Sequence, residues 1–306
     1  MLYSHILIKD AVQIKDKIGV EHMSNKVAII TDSTASLTEE MLKEHHIYSS
    51  YLMIIFGNDS YQEFKEITPA KFLELSSSQK ALPSTSQPAI GLTVELYEKL
   101  FAKGYDEIIH ITISSAISGS YGSAVSAAEM VNTEKVHIFD SRTLVFPQGL
   151  LAIEAAKLAQ AGKSATEIIP LLEKMREHTN LTAAIKTLDN LKKGGRLSNA
   201  EAVIGGLLQI KPIVHLTKEG TIEAAGKVRT FKKALQFLID TVKNANLDEN
   251  YEICVLNMEN PEEAAIVKAA VQEMHPKANI YELPLSLVVS AHVGSGAVAV
   301  SWIKNK

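Results

Sequence analysis

Serine and threonine hydroxyls gather beside glycine and proline at three places in the first half of this 306-residue chain. In ALPSTSQP (81–88), Ser84, Thr85, Ser86 and Gln87 stand between Pro83 and Pro88, and a helical pattern, LTVELYEKL, follows. A proline just inside a helix start is pre-set for helical φ, and hydroxyls before it sit beside free backbone donors and the positive end of the helix dipole. Two uses are open to Thr85 and Ser86: capping that helix, or forming a neutral seat for a carboxylate or phosphate. A second loop, SSAISGSY, sets Ser114, Ser115, Ser118, Gly119 and Ser120 between the apolar run DEIIHITIS and the helical GSAVSAAEMV. Strand, Ser/Gly loop and helix in that order present backbone N–H groups at the carboxyl end of an α/β sheet. The third is KVAIITDSTASLTEEML, where Asp32, Ser33 and Thr34 follow a strand. Asp32 accepts rather than donates, so it is expected to order the loop's hydroxyls or cap the helix. Three such turns converging on one crevice would hold an anionic head group.

Other chemistries fit less well. AGKS (161–164) copies the end of a phosphate-binding loop, but its first glycine would fall on Lys157. Ser118-Gly119-Ser120-Tyr121-Gly122 is a near miss for GxSxG, so a small-molecule hydrolase or transferase using the same hydroxyls stands as the alternative reading. His45 and His46 are adjacent and splay on a helix, and the other histidines lack ligand spacing, so no metal and no cofactor is expected. Net charge is −4, yet Lys186 to Lys233 holds ten Lys/Arg against four Asp/Glu. That local excess suits an anionic ligand or a steered partner, while its lack of interleaved aromatics argues against nucleic acid. The single cysteine, Cys254, lies in an alternating strand-like run, so no disulfide forms within the chain, which fits a reducing cytoplasm. No apolar stretch approaches the roughly 20 residues of a membrane span.

Elements able to position these loops alternate through the first half. Strands are expected at 26–31, 50–56, 107–114 and 135–139, and helices at 37–46, 69–77, 89–102, 120–132 and 148–161. That rhythm predicts a mostly parallel, Rossmann-like α/β sheet. A turn and helix at 161–178, capped by Ser164 or Thr166, leads to a second half that reads as α+β. There a strand is expected at 181–188, then the turn KKGGRLS, an apolar helix AEAVIGGLLQ and a strand at 210–216. A hairpin through KEG into TIEAAGKVRT follows, then helix 231–245, strand 251–258, helix 261–274, and strands 278–283 and 297–303. The domains are accordingly 23–175 and 176–306, with 1–22 an N-terminal extension and Met23 a candidate start.

VAIITDSTASL, PSTSQP, ISSAISGSY, NLKKGGRLS, IKPIV, KVRT and HVGSGA occur in the order seen in DegV-like proteins, and the chain resembles that family from about residue 26 to 300. The resemblance implies a long-chain fatty acid bound in a crevice between two domains, with no turnover by the protein itself. It further implies service as the acyl-binding subunit of a bacterial fatty acid kinase, with a transient visit to a membrane surface. By the same resemblance Thr85 and Ser118, with Ser86 and Gly119, hold the carboxylate. Asp32, Ser33 and Ser115 support the loops, and Arg196, Arg229 and His292 serve kinase docking or phosphoryl transfer. Ser295 stands where the family commonly has proline, and DSRTLVFPQGLL (140–151) matches only loosely.

Overall fold

The computed structural model describes residues 26–78, 82–131, 134–198 and 210–304. The expected extension at 1–22 and the expected helix over 200–209 lie outside the described residues. Strands β1 (Val27–Asp32), β2 (Ile47–Ser50), β6 (Glu107–Thr112) and β7 (Val136–Asp140) form a fully parallel sheet in the order β2-β1-β6-β7. Its two central strands, VAIITD and EIIHIT, are apolar without alternation because helices cover both faces. The chain runs outward from β1 to β2 and then returns to β6 on the other side. The carboxyl ends of β1 and β6 therefore flank the crevice where such sheets bind ligands, and Asp32–Ser33 and the loop from Ile113 onward sit there.

The expected strand at 50–56 is two strands that belong to different sheets. β2 ends at Ser50, and β3 (Met53–Phe56) pairs with β4 (Asp59–Gln62) and with β5 (Ser84–Ser86) in a separate antiparallel sheet. Thr85 and Ser86 thus lie in a strand and do not cap a helix. Helix α3 (Ile90–Ala102) starts from Ala89 with no side-chain cap, and Pro88 stands outside it. The remaining helices of this half are α1 (Glu39–Glu44), α2 (Pro69–Ser78), α4 (Ser120–Val131), α5 (Val145–Gln160) and α6 (Ala165–Arg176).

After α6 the chain enters a six-stranded, mostly antiparallel sheet ordered β10-β9-β8-β13-β11-β12. Its strands are β8 (Thr179–Ala184), β9 (Lys211–Leu216), β10 (Ile222–Val228), β11 (Tyr251–Asn257), β12 (Ile280–Pro284) and β13 (Val298–Lys304). The strand expected at 181–188 ends at Ala184, and the next residues turn into the short helix α7 (Asp189–Lys193). Helices α8 (Phe231–Asn244) and α9 (Pro261–Met274) cover one face. A further helix, α10 (Leu287–Val293), had no counterpart in the sequence reading and carries His292. We propose that the division between halves falls at 175/176, in the last turn of α6, just before the chain changes sheet at β8.

One helix joins the layers. α5 packs against both β1 and β13, and eleven of its sixteen residues are buried, as an apolar helix between two sheets requires. Gly149 within it permits the contact: a Cβ there would stand 2.7 Å from the Ala35 carbonyl oxygen. The main apolar core is continuous across both halves, taking Ile109 and Phe146 from the first and Leu285, Val288 and Ala299 from the second.

Candidate functional site

A cavity partly open to solvent lies between the halves. Its walls are almost wholly apolar: Leu52, Ile113, Leu144 and Val145 from the first half face Leu181, Ala183, Val214, Leu216, Val288, Val289, Val293 and Ala299 from the second. Polar groups gather on part of the lining, where Thr85, Ser86, Gln87, Ser118, Gly119, Arg196 and His292 meet. Thr85, Arg196 and His292 also line a second opening of the surface with Ser84, Asn190, Lys193 and Gly194. They therefore mark the route from the apolar cavity to solvent.

Thr85 Oγ1 and His292 Nε2 are 2.8 Å apart, a hydrogen bond between the two halves of the chain. β5 brings Thr85 there by pairing Thr85 with Ile54, and α10 brings His292 from its last turn. Burial, with the Arg196 charge adding to it, pushes the His292 pKa down to about 4, so its imidazole is neutral at physiological pH. Gly194 fits against the ring: a Cβ there would be 2.7 Å from Nδ1. Ser118 Oγ donates to Ser120 Oγ (3.3 Å) and accepts from the Ser120 N–H (3.2 Å), so it closes the first turn of α4.

Arg196 departs from the expected exposed turn. Its Nε donates to the Ile117 carbonyl at 3.2 Å and its Nη1 to the Gly194 carbonyl, which folds the half-buried guanidinium back over the cavity mouth. The backbone carbonyls of these two turns are the partners that draw it in. Arg229 is exposed at the end of β10 and reaches none of these openings.

Asp32, Ser33 and Ser115 do not line the cavity. Asp32 neither caps the 3₁₀ turn after it nor bonds the loop hydroxyls. Its Oδ2 accepts from the Ile113 N–H at 2.9 Å, and its Oδ1 lies 3.4 Å from His110 Nε2, whose Nδ1 bonds Tyr97 Oη at 2.7 Å. This buried chain fixes the residue that begins the Ser/Gly loop. Ser115 turns to Asp140 through Oγ (2.5 Å), and Ser114 donates to the Gly220 carbonyl (2.8 Å), tying the loop to the β9–β10 turn. Ser33 donates to Glu63 at 2.5 Å. Glu63 and the lining residues Leu52 and His215 escaped the sequence reading, since a lone acid, leucine or histidine in such tracts carries no signal of its own.

The DegV family model, described as "Uncharacterised protein, DegV family", matches residues 26–305. The chain belongs to the DegV family. It is 36% identical over 278 residues to Protein DegV of Bacillus subtilis, covering 90% of this chain and 98% of that protein. Among solved structures, the fatty acid binding DegV family protein of Streptococcus agalactiae superimposes with TM-score 0.84 at 30% identity, covering 92% of this chain and 99% of that one. The fatty acid binding DegV of Bacillus subtilis does so with TM-score 0.81 at 35% identity, covering 91% and 99%. Both superpositions extend over both halves of the fold described above. Among the described residues no helix is long and apolar enough to cross a membrane, and no group of His, Cys, Asp and Glu is placed to hold a metal ion.

Proposed function

We propose that this DegV protein binds a long-chain fatty acid, with its tail in the interdomain cavity and its carboxylate at Thr85 and the Ser118–Gly119 turn. The observation that carries the reading is a cavity with apolar walls whose outlet gathers hydroxyl groups and a neutral imidazole beside the Arg196 guanidinium. The fatty acid binding named for its relatives from Streptococcus agalactiae and Bacillus subtilis supports it. Burial gains on the order of 0.8 kcal/mol per methylene, so a sixteen-carbon tail gains roughly 10 kcal/mol before ordering costs. A carboxylate left unpaired at the buried end would cancel much of that.

In the tautomer that carries its hydrogen on Nε2, the neutral His292 donates to Thr85 Oγ1, and the Thr85 hydroxyl proton is left to point at the carboxylate. Ser118 Oγ, by turning its hydroxyl hydrogen from Ser120 Oγ to the ligand, and nearby backbone N–H groups supply the other bonds. Hydroxyl donors hold the head group without a salt bridge, so one carboxylate oxygen keeps its nucleophilic lone pairs. In this reading the protein itself turns nothing over. It presents the carboxylate to a separate fatty acid kinase, whose docking face is the basic segment with Lys193, Arg196 and Arg229, and it exchanges the acyl product at a membrane surface. No observation favours the hydrolase or transferase alternative, since Ser118 pairs with Ser120 and His292 with Thr85.

The test is native mass spectrometry of the purified protein followed by denaturation. Release of one fatty acid per chain is the expected result. A clean unliganded mass that takes up neither oleate nor palmitate overturns the reading.

A further inference from the structure

We infer that Glu63 is a positioning residue of the acyl seat: its carboxylate clasps the first turn of α10 to the first half of the chain and so sets where His292 and Val288 stand around the cavity. The inference rests on the fatty-acid reading for its functional meaning, and on geometry for the clasp itself. Glu63 follows β4 and is fully buried. Its Oε2 accepts from Ser33 Oγ at 2.5 Å, and its Oε1 accepts from Ser286 Oγ at 2.6 Å and from the Val288 N–H at 3.0 Å. The Glu63 N–H donates to the Leu52 carbonyl at 3.0 Å, and the Leu52 N–H donates to Ser33 Oγ at 3.1 Å.

Two properties separate this group from ordinary packing. No cation pairs with Glu63 among the described residues, and a buried carboxylate without one is a costly way to join two segments if joining is its whole use. Burial raises its pKa, and the bonds from Ser286, Ser33 and the α10 backbone oppose that rise. The clasp also meets the cavity on both sides, because Leu52 and Val288 are lining residues. α10 has seven residues, about 10 Å of helix at 1.5 Å per residue. Its first turn is held by Glu63 and its last turn by the bond from His292 to Thr85, both across the same seam. Releasing the first hold leaves this two-turn helix tied across its C-terminal end by the bond to Thr85 and the 3.4 Å bond from Asn190 Nδ2 to the Ala291 carbonyl, so it can pivot there and move the imidazole and the valine wall together.

The test compares wild type, Glu63→Gln, Ser286→Ala and Leu238→Ala. Leu238 is buried in a separate core cluster of the second half, and its variant controls for general destabilisation. Two readouts are taken: the rate at which bound oleate passes to acceptor vesicles, and the His292 ring signals in nitrogen-15 NMR, assigned by their loss in His292→Gln. Glu63→Gln keeps the side-chain shape but turns one acceptor into a donor facing Ser33. It should speed oleate loss about tenfold, the worth of one charge-assisted hydrogen bond, and shift the His292 signals. Ser286→Ala should shift both in the same direction by less, and stands in if Glu63→Gln does not fold. Leu238→Ala should move neither. Unmoved His292 signals in Glu63→Gln or its stand-in, or an oleate rate within about twofold of wild type, overturn the assignment. A wild type that binds no oleate overturns the fatty-acid reading instead, and the His292 signals then decide the clasp alone.

Discussion

Acidification should destabilise this protein through His292, and the amount can be worked out. The ring's pKa falls from 6.5 to about 4 on folding, through burial and the Arg196 charge. Between those values the unfolded chain binds a proton that the folded one refuses, so stability drops as pH falls and the loss is complete below about pH 4. At about 1.4 kcal/mol per unit the full effect is roughly 3 kcal/mol. Glu63 acts with the opposite sign: its raised pKa makes the folded protein the better proton binder, so its contribution grows as pH falls through that raised value. Wild type alone therefore reports a mixture, and the comparison with His292→Gln isolates the histidine. Guanidinium unfolding of both proteins should be followed from about pH 7.5 to pH 4. At the upper end the variant should be less stable by about 1 kcal/mol, the worth of the bond to Thr85. As pH falls the gap should close and then reverse, changing by about 3 kcal/mol in all. Parallel curves would refute the claim that this ring is held neutral by its surroundings.

Thr85→Val and Ser118→Ala each remove a hydroxyl from the seat and should each weaken oleate binding about tenfold, read by isothermal titration; unchanged binding in both would leave the carboxylate without its assigned donors. Gly194→Ala forces a Cβ to 2.7 Å from His292 Nδ1, so the His292 ring signals should shift and oleate should leave faster while the far-UV circular dichroism stays unchanged. Tyr97→Phe deletes the 2.7 Å bond to His110 in the buried chain behind the Ser/Gly loop. It should cost about 1–3 kcal/mol in guanidinium unfolding, with oleate affinity retained, because the chain touches the loop only through Asp32 and the Ile113 N–H.

The parallel sheet was legible because VAIITD and EIIHIT are apolar on both faces, a pattern only interior strands of a covered sheet require. The KEG hairpin was legible through Gly220, whose φ of +81° suits the turn. Hydroxyl clustering drew attention to Thr85 and Ser118, which do reach one cavity, but the reason given for Thr85 was local and the actual one is not. Ser84–Ser86 is a strand because it pairs with Met53–Phe56, some thirty residues away, and a three-residue strand between prolines leaves no periodicity to read. α10 was hidden by composition. LVVSAHV has three valines in seven residues, which argues locally for a strand, and the signal overlooked was Ser286, whose side chain accepts from the Val289 N–H as a helix cap. Asp32 and Ser115 were expected to support the loops, but which groups they would bond could not be read from adjacency. Their partners, Ile113 and Asp140, come from neighbouring strands, and adjacency along the chain says nothing of those.

The bond between Thr85 and His292 joins residues 207 positions apart. At a synthesis rate of about 5–20 residues per second, roughly 10 to 40 s pass on the ribosome between the two. For most of that interval β5 and the Ser/Gly loop exist without the helix that completes the seat, and the apolar wall from Leu52 to Val145 faces no partner. The first half can pair its parallel sheet while it waits, but the cavity comes into being only when the last few dozen residues arrive. Closing contacts of such long sequence separation come late in folding, so a nascent chain carries this apolar wall without its partner until then.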